Sequence, residues 1–163
     1  MINFNLLKTL NIFYFQKNEE IKNNFLKMIE GLFNNVFCSN NSLDLINIVE
    51  NKKKSFIVDI VISDTSIFNN DIDKVYNMIK KEEFTLPIIL ITNDLSIDTL
   101  LKAIKYKVSD CLCTTVKKNE LLASIQKTCK ERYVERFKKE IENDFEGLVS
   151  IINDIALVSK TDL

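Results

Sequence analysis

The stretch DIVISDTSIFNNDIDKVYNMI, residues 59–79, decides the fold. It opens on Ile60, Val61 and Ile62, the end of an apolar run from Ile57 to Ile62 that only Asp59 interrupts. A run apolar at nearly every position suits a strand covered on both faces, which is the mark of a parallel sheet. Ser63-Asp64-Thr65 then breaks the run. Ile72, Val75 and Ile79 follow at helical spacing across residues 71–81. The stretch reads as strand, polar turn and amphipathic helix.

The same alternation extends in both directions. Leu10–Phe15 (LNIFYF), Pro87–Thr92 (PIILIT) and Cys111–Cys113 are further apolar runs, and Asn35–Cys38 (NVFC) is a weaker one. Between them lie amphipathic segments. Ile21, Phe25, Met28, Ile29 and Leu32 share a face, and Leu45, Ile46 and Val49 follow Asn41 or Ser42 as N-cap. Leu100, Leu101 and Ile104 follow Ser96 as N-cap, while Leu121, Leu122, Ile125 and Cys129 open the last helix. The order is (βα)5, a doubly wound α/β domain of about 125 to 130 residues. In such a sheet the working site lies beyond the carboxyl ends of the strands. That rim carries Gln16, Lys17 and Asn18, then Ser63-Asp64-Thr65, Thr92-Asn93-Asp94, and Thr114 with Thr115.

Composition narrows the chemistry. The chain has 163 residues, 46% hydrophobic and 28% charged, with a formal net charge of −1. The balance argues against a nucleic-acid-binding or membrane-surface protein. No apolar run reaches membrane-spanning length, and MINFNLLKTLN lacks signal-peptide architecture, so a cytoplasmic protein is expected. There is no His, which excludes a Ser-His-Asp triad, a His-based metal site and a phospho-accepting His within the chain. Two Gly and one Pro exclude a P-loop and a Gly-rich dinucleotide fingerprint, whose backbones must approach phosphates closely. Cys38, Cys111, Cys113 and Cys129 are expected to stay reduced, with Cys111 and Cys113 as buried strand cysteines rather than metal ligands. Lys52-Lys53-Lys54 and Lys117-Lys118 read as solvated helix ends or loops.

Residues 8–133 resemble a response-regulator receiver domain, on the register of the whole stretch. Residues 59–79 resemble the family's strand, phosphoacceptor and following helix, which places the acceptor at Asp64. LPIILITNDLS (86–96) resembles its fourth strand, with the switch hydroxyl at Thr92, and VSDCLCTTVKKNELLASI (108–125) its fifth strand and next helix. The resemblance implies a flavodoxin/CheY-like strand order, 2-1-3-4-5, and a regulatory module rather than an enzyme. Its departures are as specific. Gln16 and Lys17 stand where the family has two Mg²⁺-holding acids, and Glu19 and Glu20 fall at a helix start. Thr114 and Thr115 replace the family's Lys and Pro, Cys111 its aromatic switch residue, and Lys107 and Val108 its small residues.

Phosphoryl transfer to a carboxylate needs positioning and charge neutralisation. Mg²⁺ wants several oxygen ligands, and here Asp64 would hold it alone and weakly. Lys17 would repel a divalent ion: two unit charges ~4 Å apart interact by about 4 kcal/mol at an effective dielectric of 20. The expectation is an altered pocket of Asp64, Thr65, Thr92, Thr114, Gln16 and Lys17, in which the Lys17 ammonium takes the metal's place against Asp64. Asp64 also reads as an ordinary turn-starting Asp.

Beyond residue 133, Val134, Ile141, Leu148 and Ile155 recur every seven residues. Phe137, Ile151 and Val158 fill companion positions, with Asp144 the exception and Gly147 a weak point. The pattern spans about three and a half heptads. Residues 134–163 are expected to form a helical linker that pairs two chains in a parallel coiled coil, in preference to folding back on its own domain. The tail IALVSKTDL resembles the start of a PAS sensor domain, which implies a piece of a longer signalling protein. The expected function is a receiver module of a two-component phosphorelay, phosphorylated at Asp64 by a sensor histidine kinase or phosphotransfer protein. The alternative is a phosphorylation-independent pseudo-receiver that serves dimerisation or docking.

Overall fold

The computed structural model describes residues 1–50, 57–69, 72–81 and 86–161. Its strands are β1 (Asn11–Phe15), β2 (Asn35–Ser39), β3 (Ile60–Ser63), β4 (Ile88–Ile91) and β5 (Asp110–Leu112). Its helices are α1 (Phe4–Leu7), α2 (Glu19–Met28), α3 (Ser42–Glu50), α4 (Ile72–Lys81), α5 (Ile97–Lys105) and α6 (Lys118–Thr161). The strands form one parallel sheet in the order β2-β1-β3-β4-β5, as the sequence predicts. Lys52, Lys53 and Lys54 lie outside the described residues.

Strand alternation divides the core in two. Ile12, Tyr14, Ile60, Ile62 and Ile89 point to the face covered by α2 and by the start of α6, where Phe25, Leu121, Leu122 and Ile125 meet them. Phe13, Phe15, Val61, Ile88 and Leu90 point to the other face, against Leu45 of α3 and Ile72 and Val75 of α4. Period-two strands between two layers of helices produce this division.

Asn11 fixes the register at the amino rim. Its backbone N–H donates to Asp59 Oδ2 at 2.8 Å, and its side-chain amide donates to the Ile57 carbonyl at 2.9 Å. Its Oδ1 accepts from Asn34 and Asn35 at 2.9 and 3.2 Å. Asp59 also donates its backbone N–H to the Asn11 carbonyl at 2.8 Å, just before the regular pairing of β3 with β1 begins at Ile60. The short α1 has no counterpart in the sequence reading. Its N-cap Asn3 accepts from the Leu6 N–H at 3.1 Å, and Leu7 anchors it in the core.

Two expectations need correction. Leu100, Leu101 and Ile104 do not face the core. Leu101 and Ile104 are 60% and 74% exposed, Ile97 beside them is 77% exposed, and α5 buries Thr99 and Ala103 instead. Helical periodicity identifies an apolar stripe but not which side it faces, and here the small side chains take the sheet side. Ala103→Leu is accordingly expected to cost about 1–3 kcal/mol by overpacking. Ile104→Lys is expected to change stability by less than about 0.5 kcal/mol, and urea midpoints of the two variants check the contrast.

Cys111 and Cys113 are exposed, not buried, and Cys129 is the buried cysteine. β5 is a three-residue edge strand. Leu112 turns into the α2/α6 core, and Cys111 shares the opposite face with its register partner Leu90 at the sheet margin. Partial burial pushes the Cys111 thiol up, with the charges of Asp110 and Cys113 adding to it. Lys107, where the resemblance has a small residue, adopts the left-handed conformation with φ of 52°. This is the conformation glycine takes most readily.

The chain divides into two compact units, Met1–Cys129 and the residues from 130 onward. In the second unit α6 continues through Gly147. Ile141, Leu148, Ile151 and Ile155 are all exposed. Phe145 and Ile152 are exposed as well and occupy the positions four after Ile141 and Leu148. The series 141, 145, 148, 152, 155 thus alternates steps of four and three without a polar break, and Asp144 lies beside it. The side chains of Val134, Phe137 and Val158 lie outside the described residues.

Candidate functional site

The carboxyl rim of the sheet opens into a cavity of about 550 Å³. β1 contributes Tyr14, and Gln16 follows it. α2 contributes Ile21, Asn24, Phe25 and Met28. Ser63 and Asp64 end β3, Ile91, Thr92 and Asn93 end β4, and Thr114, Thr115 and Val116 precede α6. Four of the residues picked from sequence, Gln16, Asp64, Thr92 and Thr114, therefore share one cavity. Lys17 is exposed and Thr65 half-buried, and neither lines it.

Asp64 is half-buried and sets the turn after β3. Its Oδ1 accepts from the Ser66 N–H at 2.9 Å and from the Ser66 hydroxyl, and the Ser63 hydroxyl donates to its carbonyl at 2.9 Å. The residue is thus an Asx-type cap for the 3₁₀ turn Thr65–Asn69 as well as a cavity carboxylate. Its charge reaches Tyr14. Burial pushes the Tyr14 phenol up, a side-chain hydrogen bond with Gln16 opposes this, and the Asp64 charge reinforces it. Gln16 is buried, and its Oε1 accepts from the Asn18 N–H at 3.0 Å. Asn18 in turn caps α2 by accepting from Ile21 at 3.0 Å. The residue at the first acidic position of the resemblance is thereby committed to holding the β1–α2 turn.

Thr92 starts a second relay. Its Oγ1 accepts from the Asp94 N–H at 2.9 Å, which leaves the hydroxyl proton as a donor. Asp94 Oδ1 accepts from Ser96 at 2.9 Å and its Oδ2 accepts from the Thr99 hydroxyl at 2.7 Å. These hydrogen bonds, that of Thr99 foremost, hold the Asp94 carboxyl below its ordinary 3.8. A carboxyl lowered by folding adds stability above its unfolded value, and that stability is lost as pH falls through the folded one. The urea-midpoint gap between the wild type and Asp94→Ala is therefore expected to be widest near neutrality. It should narrow as pH drops below about 4, by a small amount because the side chain is exposed.

The Thr114–Thr115 peptide bond, at the place of the resemblance's Lys-Pro, is cis. Among the described residues Asp64 is the one charged residue in the cavity wall, and Ile21, Phe25, Met28, Ile91 and Val116 are its apolar lining. Among the described residues no three or more Cys, Asp or Glu stand together as a metal group. Mg²⁺ keeps a tight octahedral oxygen shell and dehydrates reluctantly. One carboxylate beside an apolar wall does not fit it. The apolar side, built from α2, Ile91 and Val116, was not readable from the sequence.

No helix among the described residues is long and apolar enough to cross a membrane. Neither a protein-family model nor a curated protein matches the sequence. Solved structures do resemble the fold. The signal receiver domain of an HD domain-containing protein from Pseudomonas fluorescens aligns with TM-score 0.66 at 18% identity, over 79% of this chain and 93% of that one. A response regulator receiver domain protein from Clostridium thermocellum gives 0.60 at 19%, over 77% and 98%. Full-length FixJ from B. japonicum gives 0.64 at 14% over 82% of this chain, which spans 64% of FixJ. With the strand order, the two-layered helices and the carboxylate at the rim after β3, these likenesses identify the fold as that of response-regulator receiver domains.

Proposed function

We propose that the chain is a receiver module of a multidomain two-component signalling protein, with Asp64 as its phosphoacceptor. The observation that carries this reading is the position of Asp64, at the open carboxyl rim after β3, in one cavity with Thr92 and Thr114. A carboxylate so placed is accessible to a phosphoryl donor, and Thr92 retains a hydroxyl proton to donate toward the product. The partner would be a sensor histidine kinase or a phosphotransfer protein. The exposed series Ile141, Phe145, Leu148, Ile152 and Ile155 would pair two chains through the second unit and pass the change onward, toward a PAS-like or other output domain. The module itself is regulatory rather than an enzyme, and its setting cytoplasmic.

A second reading is a pseudo-receiver that docks or dimerises without phosphorylation. The single carboxylate among the described residues of the cavity wall favours it, since a phosphoryl dianion would meet no positive charge among them. Titration with beryllofluoride and Mg²⁺, followed by amide NMR, separates the two. Shifts at Asp64, Thr92 and Thr114 that vanish in Asp64→Asn support phosphorylation. Unchanged spectra at millimolar metal overturn it in favour of the pseudo-receiver. For the pairing, a chain truncated after Tyr133 that still scatters light as two copies would overturn the role of the second unit.

A further inference from the structure

We propose that the cavity at the carboxyl rim binds a small organic monocation, a primary ammonium carried on an apolar body, with Asp64 as its counter-ion.

Charge comes first. Of the fourteen described residues around the cavity only Asp64 is charged, and the other polar groups among them are neutral: Tyr14, Gln16, Asn24, Ser63, Thr92, Asn93, Thr114 and Thr115. An anion would find no counter-charge and would face Asp64. A divalent ion would be half neutralised and would lack the oxygen shell it requires. A single positive charge is balanced by a single carboxylate. An ammonium group has three N–H donors and no acceptor, and this wall offers acceptors to match. They are the Asp64 carboxylate and the hydroxyl oxygens of Thr92 and Thr114, with Asn93 beside them.

The apolar side supplies the second half of the ligand. Ile21 is 48% exposed, and Met28, Ile91 and Val116 are half-buried, although each lines the cavity. Apolar surface of this kind gains when a ligand's hydrocarbon displaces water from it. The volume of about 550 Å³ admits such a body, within the roughly 300–1,000 Å³ of small-molecule sites. Among the described residues that line the cavity there is no cation, and Lys17, which the sequence reading set against Asp64, is not one of them. The inference does not rest on phosphorylation of Asp64, and it places the two events in competition for one carboxylate.

The probe is 2-phenylethylammonium chloride, titrated into the full chain by calorimetry and amide NMR, with the neutral 2-phenylethanol alongside. Saturable submillimolar binding is expected, with shifts at Asp64, Thr92 and Val116. The alcohol should bind at least tenfold more weakly. Asp64→Asn keeps an acceptor for Ser66 and should fold, with at least tenfold lower affinity for the ammonium probe. Ile21→Asn, on an exposed helix face, should lower affinity several-fold without moving the thermal midpoint. Equal binding of alcohol and ammonium, undiminished binding by Asp64→Asn, or no saturable shift up to about 10 mM overturns the proposal. Beryllofluoride run without the probe reports on phosphorylation independently. A beryllofluoride response with no ammonium binding removes this inference alone, and the reverse removes only the phosphoacceptor reading.

Discussion

Phe13→Ala is expected to lower the stability of the receiver-fold unit by about 3–5 kcal/mol, a large part of what a domain of this size possesses. Phe13 is 1% exposed and stands in β1, one of the three strands with neighbours on both sides. It belongs to the core cluster that holds Phe15, Leu45, Val61, Val75 and Leu90, and its register partners are Phe37 and Val61. Truncation removes the ring from the middle of one core layer, and the paired backbones on either side cannot close the gap. The loss should appear as a fall in urea midpoint at unchanged slope. Phe4→Ala, on the exposed side of α1, should change the midpoint by less than about 0.5 kcal/mol equivalent. Similar midpoints for the two variants would mean that the division into two core layers is wrong.

The double variant Gln16→Asp/Lys17→Asp is expected to trade stability for metal dependence. In the native chain Gln16 is buried and holds the β1–α2 turn through Asn18. A carboxylate there can still accept from the Asn18 N–H, but it puts a second charge in a buried position that shares the cavity with Asp64, at a cost of about 1–3 kcal/mol without metal. Mg²⁺ then finds the oxygen donors it requires. If the variant binds at about 0.1 mM, 10 mM Mg²⁺ returns about 2.7 kcal/mol, which raises the thermal midpoint by roughly 5–10 °C. The wild type, with one carboxylate, should shift by less than about 1 °C under the same conditions. Thermal melts with and without Mg²⁺ check both halves. A wild-type midpoint that climbs as far as the variant's would show that the native wall already makes a metal site.

The strands were legible because each is a short apolar run between polar turns, and because parallel strands covered on both sides carry little else. The carboxylate at the rim was legible for the same reason, as Asp64 directly follows Ile60–Ser63. Two kinds of fact were not. The spacing of Leu100, Leu101 and Ile104 matches a buried face and an exposed one equally, and the difference lies in Thr99 and Ala103, the small residues that α5 buries instead. Which apolar residues border a cavity depends on where three loops and α2 converge, and no local pattern encodes that. Cys111 looked buried because its neighbours are apolar, yet a three-residue edge strand covers only one of its sides. In the last helix the seven-residue repeat was evident. The uninterrupted line through Phe145 and Ile152 required the continuous helix to reveal it.

Asn11 and Asp59 stitch three strand beginnings together at the end of the sheet farthest from Asp64. Alignment is thus guaranteed by amides and a carboxylate that take no part in ligand chemistry. Substitutions at the opposite rim, at Gln16, Lys17, Thr114 or Thr115, leave these bonds in place, because the clamp and the candidate site stand at opposite ends of the strands.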